Sequence, residues 1–272
     1  MLEGAGLAMD YGRGPVFNGL DLTLAGGHLV GLIGPNGAGK STLLALLMRL
    51  LVPTAGTLRL GGRPLTAWRR RDLARQLTLV PQDTRIGFDF SVAEIVAMGR
   101  NPWLGRFQVA GPADLALIQA AMAQTGVSAL AARSINTLSG GERQRVIIAR
   151  AIAQQTPIVL LDEVTAHLDL CHQLEVLELA RGLARAGRLV IAAIHDLNLA
   201  ARYCDRLLLL ADGGIQADGP PTAVLTRDHL RRWFNLDARI EPDPATGGLR
   251  ITPLRPLPPG RAVGPWPAAS DT

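Results

Sequence analysis

The sequence predicts an α/β fold built around a mostly parallel sheet, on three observations. Short apolar runs, Leu29–Ile33, Ile158–Leu161, Leu189–Ile194 and Leu207–Ala211, recur between segments of helical period, as a strand–helix–strand chain requires. Leu29–Ile33 opens into a glycine-rich turn and Ile158–Leu161 ends in two carboxylates, so polar chemistry falls at strand ends. The chain, 272 residues with 48% apolar content, can bury a large core.

In chain order, residues 2–9 and 16–24 alternate apolar and polar positions and read as strands, interrupted at Tyr11-Gly12-Arg13-Gly14-Pro15. The buried strand Leu29–Ile33 precedes the glycine turn and an apolar helix over about 41–51, which Pro53-Thr54-Ala55-Gly56 breaks. Thr57–Leu60 and 77–81 are strands. From 88 to 135 the texture becomes helical, broken at Pro102 and Gly111-Pro112, an insertion in an otherwise alternating chain. There follow a helix at 140–153, the strand Ile158–Leu161, a helix near 171–185, the strand Leu189–Ile194, a helix at 197–202 and the strand Arg206–Ala211. Residues 237–254 form a hairpin about Asp243–Gly248, and a Pro-, Gly- and Ala-rich tail begins near 256.

No apolar run approaches the roughly 18–20 residues that cross a bilayer, and the first residues lack a basic-then-apolar leader, so a cytoplasmic chain is expected. The formal charge of +5 is spread over scattered arginines, the densest run being Arg69-Arg70-Arg71, which reads as a solvated face rather than a nucleic-acid surface. Two cysteines, Cys171 and Cys204, give no disulfide framework. His167, Cys171 and His172 lack a second pair of ligand spacing, which argues against a metal site.

Gly34-Pro35-Asn36-Gly37-Ala38-Gly39-Lys40-Ser41 matches G-x-x-x-x-G-K-[ST] between a strand and a helix. Glycines let successive N–H groups turn toward phosphate oxygens, and the helix N-terminus adds its positive end. Lys40, the only lysine in the chain, suits the β- and γ-phosphates, while the Ser41 hydroxyl suits Mg²⁺. A planar guanidinium does not replace that compact charge. Asp162 and Glu163 end a buried strand, where the first carboxylate can hold Mg²⁺ and the second can deprotonate an attacking water. Ser139-Gly140-Gly141 opens a helix and forms a second N-terminus suited to anions.

In this order and spacing the motifs resemble the nucleotide-binding subunit of an ABC transporter over residues 1 to about 236. The resemblance implies a RecA-like P-loop NTPase core with an N-terminal antiparallel β subdomain and a helical subdomain inserted at about 88–155. A hairpin extension at 237–255 and a loose tail at 256–272 complete the expected division. Lys40 falls in Walker A with Asn36, Gly37, Gly39, Ser41 and Thr42, and Gln82 in the Q-loop. Leu138–Gln144 is the signature motif, Asp162 and Glu163 are the Walker B acids, Ala166–Asp169 is the D-loop and His195 the switch histidine. Tyr11 occupies the place of the aromatic that stacks on adenine.

The resemblance further implies ATP and Mg²⁺ as ligands, with Ser41, Gln82 and Asp162 toward the metal and Glu163, His195 and Gln82 as the catalytic set. Each ATP would lie between Walker A of one copy and Ser139, Gly140 and Gly141 of another, with Asp169 beside it. Val164 stands where the family usually has Pro, and Ala166 where Ser or Asn is common. The stretches at 98–107, 195–213 and 237–254 are similar to the iron-siderophore, haem and cobalamin importers of bacteria. These imply two permease subunits, a periplasmic binding protein, a place on the cytoplasmic face of the cell membrane and a permease-facing region at Phe88–Phe107. The alternatives are another ABC importer or exporter class, or a soluble ABC ATPase acting on nucleic acid or the ribosome.

Overall fold

The structure is a computed structural model that describes residues 1–258 apart from Arg13, Arg85 and His167. The tail expected from 256 therefore lies almost wholly outside the described residues, as does the candidate ligand His167.

Alternation dictates the first layer. β1 (Leu2–Asp10), β2 (Pro15–Leu24), β4 (Ala55–Leu60) and the short β5 (Arg63–Pro64) form an antiparallel sheet in the order β2-β1-β4-β5. Its inward residues, among them Leu7, Phe17, Leu20 and Leu24, are buried, while intervening positions face solvent.

The second layer is a six-stranded sheet in the order β10-β9-β3-β8-β7-β6, made by β3 (His28–Ile33), β6 (Leu77–Val80), β7 (Ile158–Leu161), β8 (Leu189–Ala193), β9 (Arg206–Ala211) and β10 (Gly214–Gly219). All but the edge strand β10 run parallel. Their nearly continuous apolar runs are what a sheet covered on both faces needs. One face, with Leu32, Leu160, Ile191 and Leu208, packs toward the first sheet and α1 (Lys40–Leu47). The other, with Ile33, Leu161, Ala192 and Leu209, packs against helices that follow later in the chain.

The helical stretch comprises α3 (Val92–Ala97), α4 (Pro112–Gln124) and α5 (Gly140–Ala153), preceded by a short α2 (Arg70–Ala74). Ser91 and Glu94 close a reciprocal cap on α3, and Ser139 and Glu142 do the same on α5. Arg71 and Arg75 donate to the Pro102 carbonyl, at 2.9 and 2.8 Å, so part of the arginine-rich stretch tethers the loop after α3.

After α6 (Leu170–Arg185), α7 (Leu197–Tyr203), α8 (Pro221–Val224) and α9 (Arg227–Phe234), the last described elements form a hairpin of β11 (Leu236–Pro242) and β12 (Leu249–Pro256). The Asn198 amide bonds the Ile251 backbone both ways, donating to its carbonyl (3.1 Å) and accepting from its N–H (2.7 Å). Asp237, 1% exposed, accepts from Arg227 and Arg231 of α9 and pairs with Arg255 of β12. These contacts fasten the hairpin to α7 and α9.

One expectation needs correcting. The helix after the glycine turn ends at Leu47, not near Leu51. Arg49 turns left-handed (φ 55°) and its guanidinium donates to the Trp68 carbonyl at 2.7 Å, while the Leu50 and Leu51 N–H groups fold back onto Ala45. A left-handed closure stops a helix whatever the propensity of the leucines beyond it.

Candidate functional site

The glycine turn leaves β3 along a path that side chains would block. Gly34 has φ 152°, and a Cβ there would lie 2.0 Å from the Leu210 carbonyl oxygen. Gly39, at φ 92°, caps α1, and its Cβ would fall 2.6 Å from the Phe17 ring. The turn is therefore a wall of bare backbone. Lys40, 5% exposed, begins α1 and donates from Nζ to the carbonyls of Gly34 (3.0 Å) and Pro35 (3.3 Å). Burial pulls the ammonium below the usual lysine range, opposed by the charges of Glu163 and Asp162.

Both acids arrive from one strand, β7, which β8 separates from β3. The Asp162 N–H bonds the Val80 carbonyl at 2.9 Å, which carries β7's sheet pairing through the start of the turn. Its Oδ1 accepts from Ser41 Oγ at 2.9 Å. Burial pushes this carboxyl up, the Ser41 bond opposes that, and the Glu163 charge adds to the rise. Glu163 sits at φ 49°, a left-handed conformation that costs a non-glycine residue about 1–3 kcal/mol and concentrates at functional sites. Its Oε2 accepts from Gln82 Nε2 at 2.8 Å, and its Oε1 lies 2.5 Å from His195 Nε2. Gln82 follows β6 and His195 follows β8, so three adjacent parallel strands deliver this trio at their carboxyl ends.

A cleft of about 620 Å³ joins the pieces, lined by Asn36–Thr42, Gln82, Glu163, Ala166, His195 and Val16. Tyr11 lies at its margin, exposed, with its hydroxyl 3.3 Å from Thr42 Oγ1. Ser139, Gly140, Gly141 and Asp169 are not among the residues lining the cleft. Ser139 caps α5 and Asp169 caps α6, both exposed.

The ABC transporter family model matches residues 17–166, more than half of the sequence. The chain belongs to the ABC transporter family. It is 46% identical, over 93% of its length, to the cobalamin import ATP-binding protein BtuD of Halobacterium salinarum, of which it spans 63%. It is 47% identical to the hemin import ATP-binding protein HmuV of Nocardia farcinica, covering 93% of this chain and 89% of that protein. Among solved structures it resembles one described as an inward-facing conformation of a metal-chelate type ABC transporter (TM-score 0.81, 30% identity, 93% and 97% of the two chains). It also resembles a bacterial ABC transporter cassette solved as a dimer (TM-score 0.72, 26% identity, 81% and 99%). The fold is thus that of an ABC ATPase cassette with its RecA-like core.

The cassette's site suits a nucleotide with Mg²⁺. The cradle at Gly34 and Gly39 has no room for Cβ atoms, and a hydroxyl with a carboxylate at Ser41 and Asp162 forms the hard-oxygen pair that Mg²⁺ takes. Sequence reasoning left unassigned the wall residue Val16, which β2 carries beside Gly39. It also missed Gln173, whose amide donates to the Thr165 (3.2 Å) and Leu168 (3.1 Å) carbonyls and holds the turn after Glu163. No sequence pattern marks Gln173 beyond its place in the first turn of α6.

Proposed function

We propose that this chain is the ATP-binding and ATP-hydrolysing subunit of an importer that takes up a metal chelate such as haem, a ferric siderophore or cobalamin. The observation that carries the reading is Glu163, clamped by Gln82 and His195 against a glycine cradle that holds Lys40. The backbone of 34–39 and Lys40 bind the phosphates of ATP, and Thr42 and Tyr11 flank them toward the base. Ser41, Asp162 and Gln82 would hold Mg²⁺, which supplies charge neutralisation on the phosphate oxygens. Glu163 accepts the proton of the attacking water, and Gln82 and His195 hold that carboxylate in place before substrate enters. His195, freed from Glu163 as substrate enters, donates toward the γ-phosphate.

Ser139, Gly140 and Asp169 are exposed and Gly141 is half-buried, all outside this cleft, which suits completion of a second copy's site. Two copies closing on ATP and opening after hydrolysis would drive two permease subunits in the membrane, fed by a periplasmic binding protein. No helix among the described residues is long and apolar enough to cross a membrane. We place the subunit on the cytoplasmic face of the cell membrane. Phe88 and Phe107, 73% and 93% exposed, offer apolar contacts toward the permease between Gln82 and α4.

Two measurements test this. Co-expression with a candidate permease should give a stable complex whose chelate uptake requires ATP; salt-sensitive binding to nucleic acid with no permease association would refute it. Glu163→Gln should keep nucleotide affinity and lose about 10²-fold or more of turnover; near-normal turnover removes Glu163 as the base.

A further inference from the structure

His172 is absorbed by neither the nucleotide cleft nor the core, yet it bonds one motif and lies beside another. Its backbone N–H donates to Asp169 Oδ1 at 2.9 Å, and its ring Nδ1 lies 2.7 Å from the same oxygen. The backbone bond and then the ring bond hold the Asp169 carboxyl below the usual range. The face of the ring lies over Gly141. A Cβ added to Gly141 would stand 3.5, 3.5 and 3.6 Å from ring atoms Cδ2, Cγ and Cε1, so the ring lies one methyl group's reach from the glycine. The exposed contact contributes little energy, because His172 is 32% and Asp169 66% exposed at the side chain. Its worth is geometric.

We propose that His172 is a positioning residue that locks the turn after Glu163 to the signature glycines of its own chain. It joins Asp169, at the end of the turn that follows the catalytic carboxylate, to Gly141, in the first turn of α5. This rests on the reading that Gly141 serves the ATP of a second copy while Glu163 serves the chain's own. Under that reading the ring links the two ATP sites of a dimer through one chain. A shift of the turn at one site then reaches the glycines at the other through a single rigid side chain. Gln173, the next residue, pins the same turn through Thr165 and Leu168, so movement passes to the ring rather than dissipating in the loop.

The test compares ATP-driven dimerisation, read by light scattering, in the full chain carrying Glu163→Gln, alone and with His172→Ala or His172→Asn. Asn keeps a donor near the Nδ1 position for Asp169 but removes the ring from Gly141. Both second substitutions should raise the ATP concentration for half-dimerisation by about tenfold, with nucleotide affinity of the monomer unchanged. In the parent chain, His172→Ala should lower kcat with KM for ATP held. Full recovery by His172→Asn would overturn the proposal, since the side chain would then only steady Asp169, the cap of α6. So would dimerisation unchanged in both. If Glu163→Gln alone fails to dimerise on ATP, the underlying two-copy reading falls and takes this one with it.

Discussion

Lys40 is a cation held in a protein pocket by two backbone carbonyls, where the proposed function places phosphate. Arginine at that position has the charge but not the compact shape, and its fork does not fit between Gly34 and Pro35. Lys40→Arg should therefore lose tight nucleotide binding, measured by titration calorimetry; affinity equal to the parent would show that charge alone suffices. Asp162 makes a different prediction, about stability. Its folded-state carboxyl titrates above its unfolded value, so the folded chain binds the extra proton. That contribution is full below the unfolded value and is lost as pH rises through the folded one. Asp162→Asn, which still accepts from Ser41, should raise the Tm of the nucleotide-free chain at pH 8 more than at pH 4. A Tm gain independent of pH would contradict burial as the cause.

At the scale of elements, the C-terminal hairpin depends on few contacts. Burial pushes the Asp237 carboxyl up, but the Arg231 and Arg227 guanidinia beside it more than offset that and hold it below the usual range. Its stabilisation is thus present above the unfolded carboxylate value and lost as pH falls. Asp237→Ala leaves several guanidinia around an empty position and should cost about 3 kcal/mol, read by urea unfolding. A loss below the measurement error would mean that the Asn198–Ile251 bonds hold the hairpin by themselves. The parallel strands were legible because fully buried strands are apolar at every position, and Leu29–Ile33 needs no alternation to be read. The stretch after Ala211 was not. β10 pairs at an edge, where one face is open, so Gly214–Gly219 shows no apolar run, and α9 buries little beyond Leu230. The left-handed stop at Arg49 was equally hidden, because it depends on Trp68, far along the chain.

For the whole molecule, the cleft stands where the first sheet, through Val16, meets the carboxyl ends of the parallel strands, so a ligand that bridges them stabilises both layers. ATP with Mg²⁺ at about 100 times Kd should add about 2.7 kcal/mol. In a chain of this size that raises Tm by several degrees, and thermal scanning with and without nucleotide checks it. No shift would exclude the cleft as the nucleotide site. The motifs that line this cleft could be read from sequence because each occupies a strand end, and strand ends of one parallel sheet converge. What could not be read was that Gln82 and His195 meet on one carboxylate, Glu163, because no spacing in the sequence encodes a contact between three strand ends.

The isolation of Lys40 in the composition has a practical side. Apart from the terminal α-amino group, the chain presents one primary amine to an acylating reagent, and that amine is buried in the phosphate cradle. Covalent modification of a side-chain amine would therefore count vacant cradles directly, one label for each, without a reporter having to be engineered in.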